Sequence, residues 1–200
     1  MNRLFTYFSF VLFSFIVSSF ALFEGDKKTT GDDGYLRWGE RKLEWADFQG
    51  EVPDNSKFHA LTHSAIHLNF ETKDSTLHFH IETLFDPNSS WKTEGVNEHI
   101  LEHEQIHFDI TEYHTRLLRK EISNKKFHSL ATVDREVREA YEKISEETKV
   151  MQEHYDHQTK HSLDPKKQSV WAKKMNRLLQ KTADYQSSEI QISIHDLLKH

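Results

Sequence analysis

The segment Leu101-Glu102-His103-Glu104-Gln105-Ile106-His107 carries two histidines four residues apart, with a carboxylate next to the first. On an α-helix that spacing puts both imidazoles on one face, about 6 Å apart along the axis, so that they can share one tetrahedral zinc ion. Glu104 adjoins a ligand instead of being one, which sets its carboxylate beside a zinc-activated water as a general base. The chemistry this pattern points to is metal-assisted hydrolysis. A catalytic zinc needs a third protein ligand and an open fourth position. None is within reach on the same helix: His114 lies about 10.5 Å past His107 along the axis and His99 about 12 Å before it, against zinc–nitrogen bonds of about 2 Å. On the next helical segment Glu136, Glu139, Glu146 and Glu147 fall off the apolar stripe and are expected to face solvent. The end of that segment is better supplied, because Tyr155-Asp156-His157-Gln158-Thr159-Lys160-His161-Ser162 offers a carboxylate, two imidazoles and a phenol.

The elements that must position these groups follow from periodicity. Ile66, Leu68 and Phe70 alternate with His67, Asn69 and Glu71, and Leu77, Phe79 and Ile81 with His78, His80 and Glu82, which predicts a hairpin turning through Lys73-Asp74-Ser75. The histidines of the polar faces are expected to be solvated. Beyond Trp91 the period becomes helical. Asn97 is a suitable N-cap for a helix to about Ile122, and Thr132 or Asp134 opens a second with Val133, Val137, Ala140, Tyr141, Ile144, Met151 and Tyr155 on its apolar side. Asp164-Pro165 starts a third. Ile190, Ile192 and Ile194, alternating with Gln191, Ser193 and His195, suit a last strand. Strands first and helices later imply an α+β fold, a small antiparallel sheet packed against a helical subdomain that carries the His-Glu-x-x-His helix in a zincin-like manner.

Composition narrows the partners. The 200 residues include 15 His and no Cys, so any metal must be held by His, Asp or Glu, and neither a disulfide scaffold nor a thiol nucleophile is available. A formal charge of -6 argues against nucleic acid, whose phosphates need a clustered basic surface. Met1 to Ala21 has one charge, Arg3, then an apolar run ending in Ser19-Phe20-Ala21, the layout of a signal peptide for export to the periplasm or beyond the cell. An uncleaved anchor spanning Leu4 to Phe23 is the alternative; with the signal removed, no stable membrane insertion is expected. Residues 22–34 read as a flexible lead-in and 35–200 as a single domain.

The chain resembles the bacterial secreted proteins grouped as DUF922 and described as zinc-dependent proteases. The resemblance rests on Leu43-Glu44-Trp45-Ala46-Asp47-Phe48-Gln49-Gly50, on Ser90-Trp91, on the run Leu101 to Ile110, on Tyr155-Asp156 with Thr159 and His161, and on Gln168 with Trp171. Ser162 stands where the family usually has Gly. The resemblance implies a zinc-dependent peptidase acting on a peptide or protein substrate, the alternative being a non-catalytic zinc-binding envelope protein on the same fold. Taken together with the spacing, the expected zinc ligands are His103, His107 and His161, with Asp156 as the alternative third ligand. Glu104 is the expected general base, and Tyr155, or else His157, the donor to the oxyanion. Asp109, about 200° around the helix from His107, is expected to tether a neighbouring element. Trp45, Phe48, Trp91 and Trp171 read as core aromatics.

Overall fold

A computed structural model describes residues 33–194. The signal-like segment, the lead-in as far as residue 32, and the end of the chain from His195 onward lie outside the described residues. Among the described residues no helix is long and apolar enough to cross a membrane.

The hairpin forms where the alternation places it: β3 (Ser64–Lys73) pairs antiparallel with β4 (Thr76–Phe85), in a register that sets Leu68 against Ile81 and Phe70 against Phe79. Asp74 and Ser75, both at positive φ, make the two-residue turn, the backbone twist that a tight hairpin requires. On its other edge β4 pairs with β1 (Leu36–Arg37) at the Phe85 end and with β6 (Glu189–Ser193) at the Thr76 end. Two further short strands, β2 (Ala60–Leu61) and β5 (Trp91–Lys92), form a separate antiparallel pair.

Three helices follow. In α1 (Glu98–Ser123) the Asn97 side chain accepts from the Ile100 N–H at 3.1 Å, a cap of the expected kind. Fourteen of its 26 residues are buried, and they lie on more than one face, so α1 is the central helix of the fold and not a surface one. Its Leu118 and Ile122 join Val137, Ala140 and Ile144 of α2 (Val133–Thr159) against Leu77, Phe79 and Ile81 of the sheet. A second cluster, Leu43, Phe48, Phe85, Leu101 and Phe108, fixes the chain before β2 to the start of α1. Gly50 belongs to this attachment: its N–H donates to the Ser90 carbonyl at 2.8 Å, and a Cβ there would sit 2.6 Å from the Asn88 carbonyl oxygen. The third helix, α3 (Pro165–Lys181), has Pro165 in its first turn, and the Asp164 side chain accepts from the Lys167 N–H at 3.0 Å. Its Trp171 and Met175 close a third cluster with Ile106, Ile110 and Tyr155.

Two sequence expectations are corrected here. Glu136 does not face solvent: it is buried in the first turn of α2, where its carboxylate accepts from Thr132 Oγ1 at 2.6 Å and lies 3.2 Å from His128 Nδ1. The loop entering α2 folds over that turn and supplies the partners, while Glu139, Glu146 and Glu147 are exposed as expected. The histidines on the outer face of the sheet are not simply solvated either. His67 and His80 converge on Glu82, at 3.4 and 3.3 Å, and Arg37 donates to the other oxygen of the same carboxylate at 2.9 Å. The core aromatics are placed as expected, with Phe48, Trp91 and Trp171 buried and Trp45 packed against its cluster.

Candidate metal centre

The first half of the site is built by α1. His103 and His107 emerge one turn apart toward α2, their rings 4.8 Å apart, and Nε2 of one lies 3.2 Å from Nε2 of the other. The last turns of α2 supply the second half. Asp156 Oδ1 is 3.1 Å from His103 Nε2 and 3.0 Å from His107 Nε2, which makes a nearly equilateral triangle of three donor atoms. Tetrahedral coordination with bonds of about 2.0–2.1 Å requires ligand atoms about 3.3 Å apart, close to the separations here. His103, His107 and Asp156 therefore form a group that could hold a metal ion.

Gln152, one turn before Asp156 on α2, prepares His107 for that role. Its amide Nε2 donates to the His107 carbonyl at 2.9 Å and to Thr111 Oγ1 at 3.2 Å. The amide oxygen is thereby turned toward Nδ1 of the imidazole and accepts its proton. With Nδ1 committed as a donor, Nε2 is the nitrogen that faces the triangle, the tautomer a metal ligand needs. His103 has no such support, since its buried Nδ1 has no hydrogen-bond partner.

Electrostatics follow the same geometry. Burial lowers His103 to about 4; at His107 burial acts in the same direction, but Asp156, Glu104 and Gln152 together outweigh it and raise the imidazole to about 9. Burial opposes ionisation of Asp156, but the two imidazoles hold it well below the usual carboxylate range. Glu104 is 4% exposed; burial raises its carboxyl and His107 opposes the rise. Its backbone carbonyl accepts from Thr62 Oγ1 at 3.3 Å, which joins the end of β2 to this part of α1.

The other predicted site residues take different places. Tyr155 is fully buried, stacked on the His103 ring at 4.6 Å and edge-on to His107 at 4.9 Å, and its hydroxyl lies 3.4 Å from the His103 carbonyl. It supports the two imidazoles from below, and its hydroxyl is turned to the backbone instead of to an open position. His157 is exposed on the far side of α2. His161 stands outside the donor triangle, with Nδ1 3.4 Å from Asp156 Oδ2 and its ring 4.7 Å from that of Phe58. Asp109 tethers as expected, accepting from Trp38 Nε1 at 2.8 Å and from Gln105 Nε2 at 2.9 Å, while Gln105 Oε1 accepts from the Leu43 N–H.

Gln152 and His99 are the site residues that the spacing argument missed. His99, one turn before His103, donates from Nε2 to the Ser162 carbonyl at 2.8 Å and is itself held by Gln168. It thus anchors the turn that carries His161. Each of these two residues sits four positions before a donor, His103 for His99 and Asp156 for Gln152, and that repeat is the signal by which they could have been found.

The family model described as bacterial protein of unknown function (DUF922) matches residues 48–162, a span that contains all three donors and ends at the turn after α2. No curated protein and no solved structure matches the chain.

Proposed function

The chain belongs to the DUF922 family, and on that premise we propose that it is a zinc-dependent peptidase, exported from the cytoplasm, that hydrolyses peptide bonds of a peptide or protein substrate. The observation that carries this reading is the triangle of His103, His107 and Asp156 with the carboxylate of Glu104 buried next to it on the same helix. Two imidazoles and one carboxylate are among the donor sets of catalytic zinc sites. When bound, the ion supplies Lewis acidity toward a water and a substrate carbonyl.

The chain's own groups do the rest. Asp156 and the two imidazoles hold the site on helices packed into the core, so its geometry is rigid before substrate arrives. Glu104 takes a proton from the attacking water and delivers it to the leaving amine, a role suited to a buried carboxylate whose affinity for the proton is raised. Gln152 keeps His107 in the ligating tautomer, and Tyr155 keeps both rings in place.

One observation favours a second reading, a metal-binding protein without turnover: the Tyr155 hydroxyl, the candidate oxyanion donor, is turned to the His103 carbonyl. The substitution Glu104→Gln separates the two. It is expected to leave zinc at one equivalent while lowering hydrolysis of an unfolded protein substrate by about 10²–10⁴-fold, the contribution of a general base. Zinc-loaded wild-type protein that cleaves no peptide at all would leave the second reading standing.

A further inference from the structure

The segment after α2 is unusual. Lys160, His161 and Ser162 have φ of 53°, 52° and 70°, three consecutive residues in the left-handed region with no glycine among them. Such backbone is strained for L-residues and persists only where its surroundings hold it. The surroundings here are specific: the His161 N–H donates to the Asp156 carbonyl at 3.0 Å, the Asp164 N–H to the Thr159 carbonyl at 2.9 Å, and His99 to the Ser162 carbonyl. The turn therefore closes back on Asp156 through the main chain, and its one long side chain facing the site, that of His161, reaches the same residue's carboxylate.

Asp156 uses its two oxygens differently. Oδ1 faces both imidazoles of α1, and Oδ2 faces His161 Nδ1. Resting on the metal reading above, we infer that His161 is a positioning residue: it holds the outer oxygen of Asp156 away from the ion, so that the carboxylate binds through Oδ1 alone and a coordination position stays open. The Phe58 ring, tilted against the imidazole at 4.7 Å, keeps it at that edge. His161 is half exposed at the rim, and the donor triangle is complete without it, which distinguishes this role from direct ligation.

The test uses the full chain, cobalt as a visible stand-in for zinc, and two substitutions. His161→Ala removes the contact to Oδ2, whereas His161→Asn keeps an N–H donor near the place of Nδ1. For His161→Ala the d–d absorption of the cobalt protein is expected to weaken, as a second carboxylate oxygen raises the coordination number, and zinc affinity is expected to fall about tenfold or more. His161→Asn is expected to keep the wild-type spectrum. Wild-type spectrum and affinity in His161→Ala would overturn the inference alone. Equal loss of affinity in both variants would also overturn it, because the imidazole would then be a ligand. A wild-type chain that takes up neither cobalt nor zinc would remove the metal reading and this inference with it.

Discussion

Gln152 grips His107 at two points, donating to its carbonyl and accepting from its ring, so one amide sets both the backbone and the tautomer of a site histidine. Gln152→Leu keeps the volume of the side chain and removes both bonds. Zinc affinity, measured by competition with a chromophoric chelator, is expected to fall about 10–100-fold, the usual effect of losing a partner behind a metal ligand. An unchanged affinity would show that the imidazole orients itself without the amide.

Asp156 and His161 can be ranked by direct metal analysis. Asp156→Ala removes a corner of the triangle and is expected to bring bound zinc well below one equivalent at micromolar free metal. His161→Ala is expected to keep near-full occupancy under the same conditions, with weaker affinity. The reverse order would place His161 among the ligands and Asp156 outside them.

The outer face of the sheet gives a pH dependence that is independent of any metal. Glu82 raises His80 to about 9, with Glu189 adding to the effect against burial. A histidine whose value is raised on folding stabilises the fold fully below its unfolded value of about 6.5, and the contribution is lost as pH rises through the folded value. Glu82 itself is held below its ordinary value by His67, His80 and Arg37 against the opposing effect of burial, so its share is present above about 4.5 and lost in acid. With chelator present, His80→Gln is expected to lower the melting temperature near pH 6 and to differ little from wild type near pH 10. The effect is of the order of 1 kcal/mol or less, since the ring is half exposed to solvent. A difference that grows toward pH 10 would contradict the assignment.

Ser162→Gly is expected to stabilise the protein by about 1 kcal/mol, because glycine relieves one of three left-handed residues at no steric cost. Thermal unfolding of the metal-free protein reads this directly, and destabilisation would mean that the buried serine side chain contributes more than its backbone costs. The left-handed turn holds without a glycine because His99 donates to the Ser162 carbonyl and the Asp164 N–H to the Thr159 carbonyl.

Much of this arrangement was legible beforehand, for local reasons. The hairpin, the Asn97 and Asp164 caps and the paired histidines of α1 are each set by residues within a few positions of one another. What escaped was the end of α2. The choice between Asp156 and His161 depends on where that helix stops, and without a glycine its last residue, Thr159, carries no mark. A helix ending there leaves Asp156 on the face turned to α1 and moves His161 into the turn beyond it. Glu136 escaped for another reason, because a helical wheel treats everything off the apolar stripe as water, whereas the loop at 124–132 covers that position.

The donor triangle joins points of the chain far apart in sequence, His103 and His107 on one helix and Asp156 near the end of the next. An ion seated there ties off the whole intervening stretch, including most of α1, the loop after it and nearly all of α2. Such a tie removes freedom chiefly from the unfolded chain, so the bound ion acts as a removable cross-link whose hold on the fold follows the free metal concentration. In a protein without a single cysteine, resistance to unfolding would then be set by the supply of metal and not by the redox state of the surroundings.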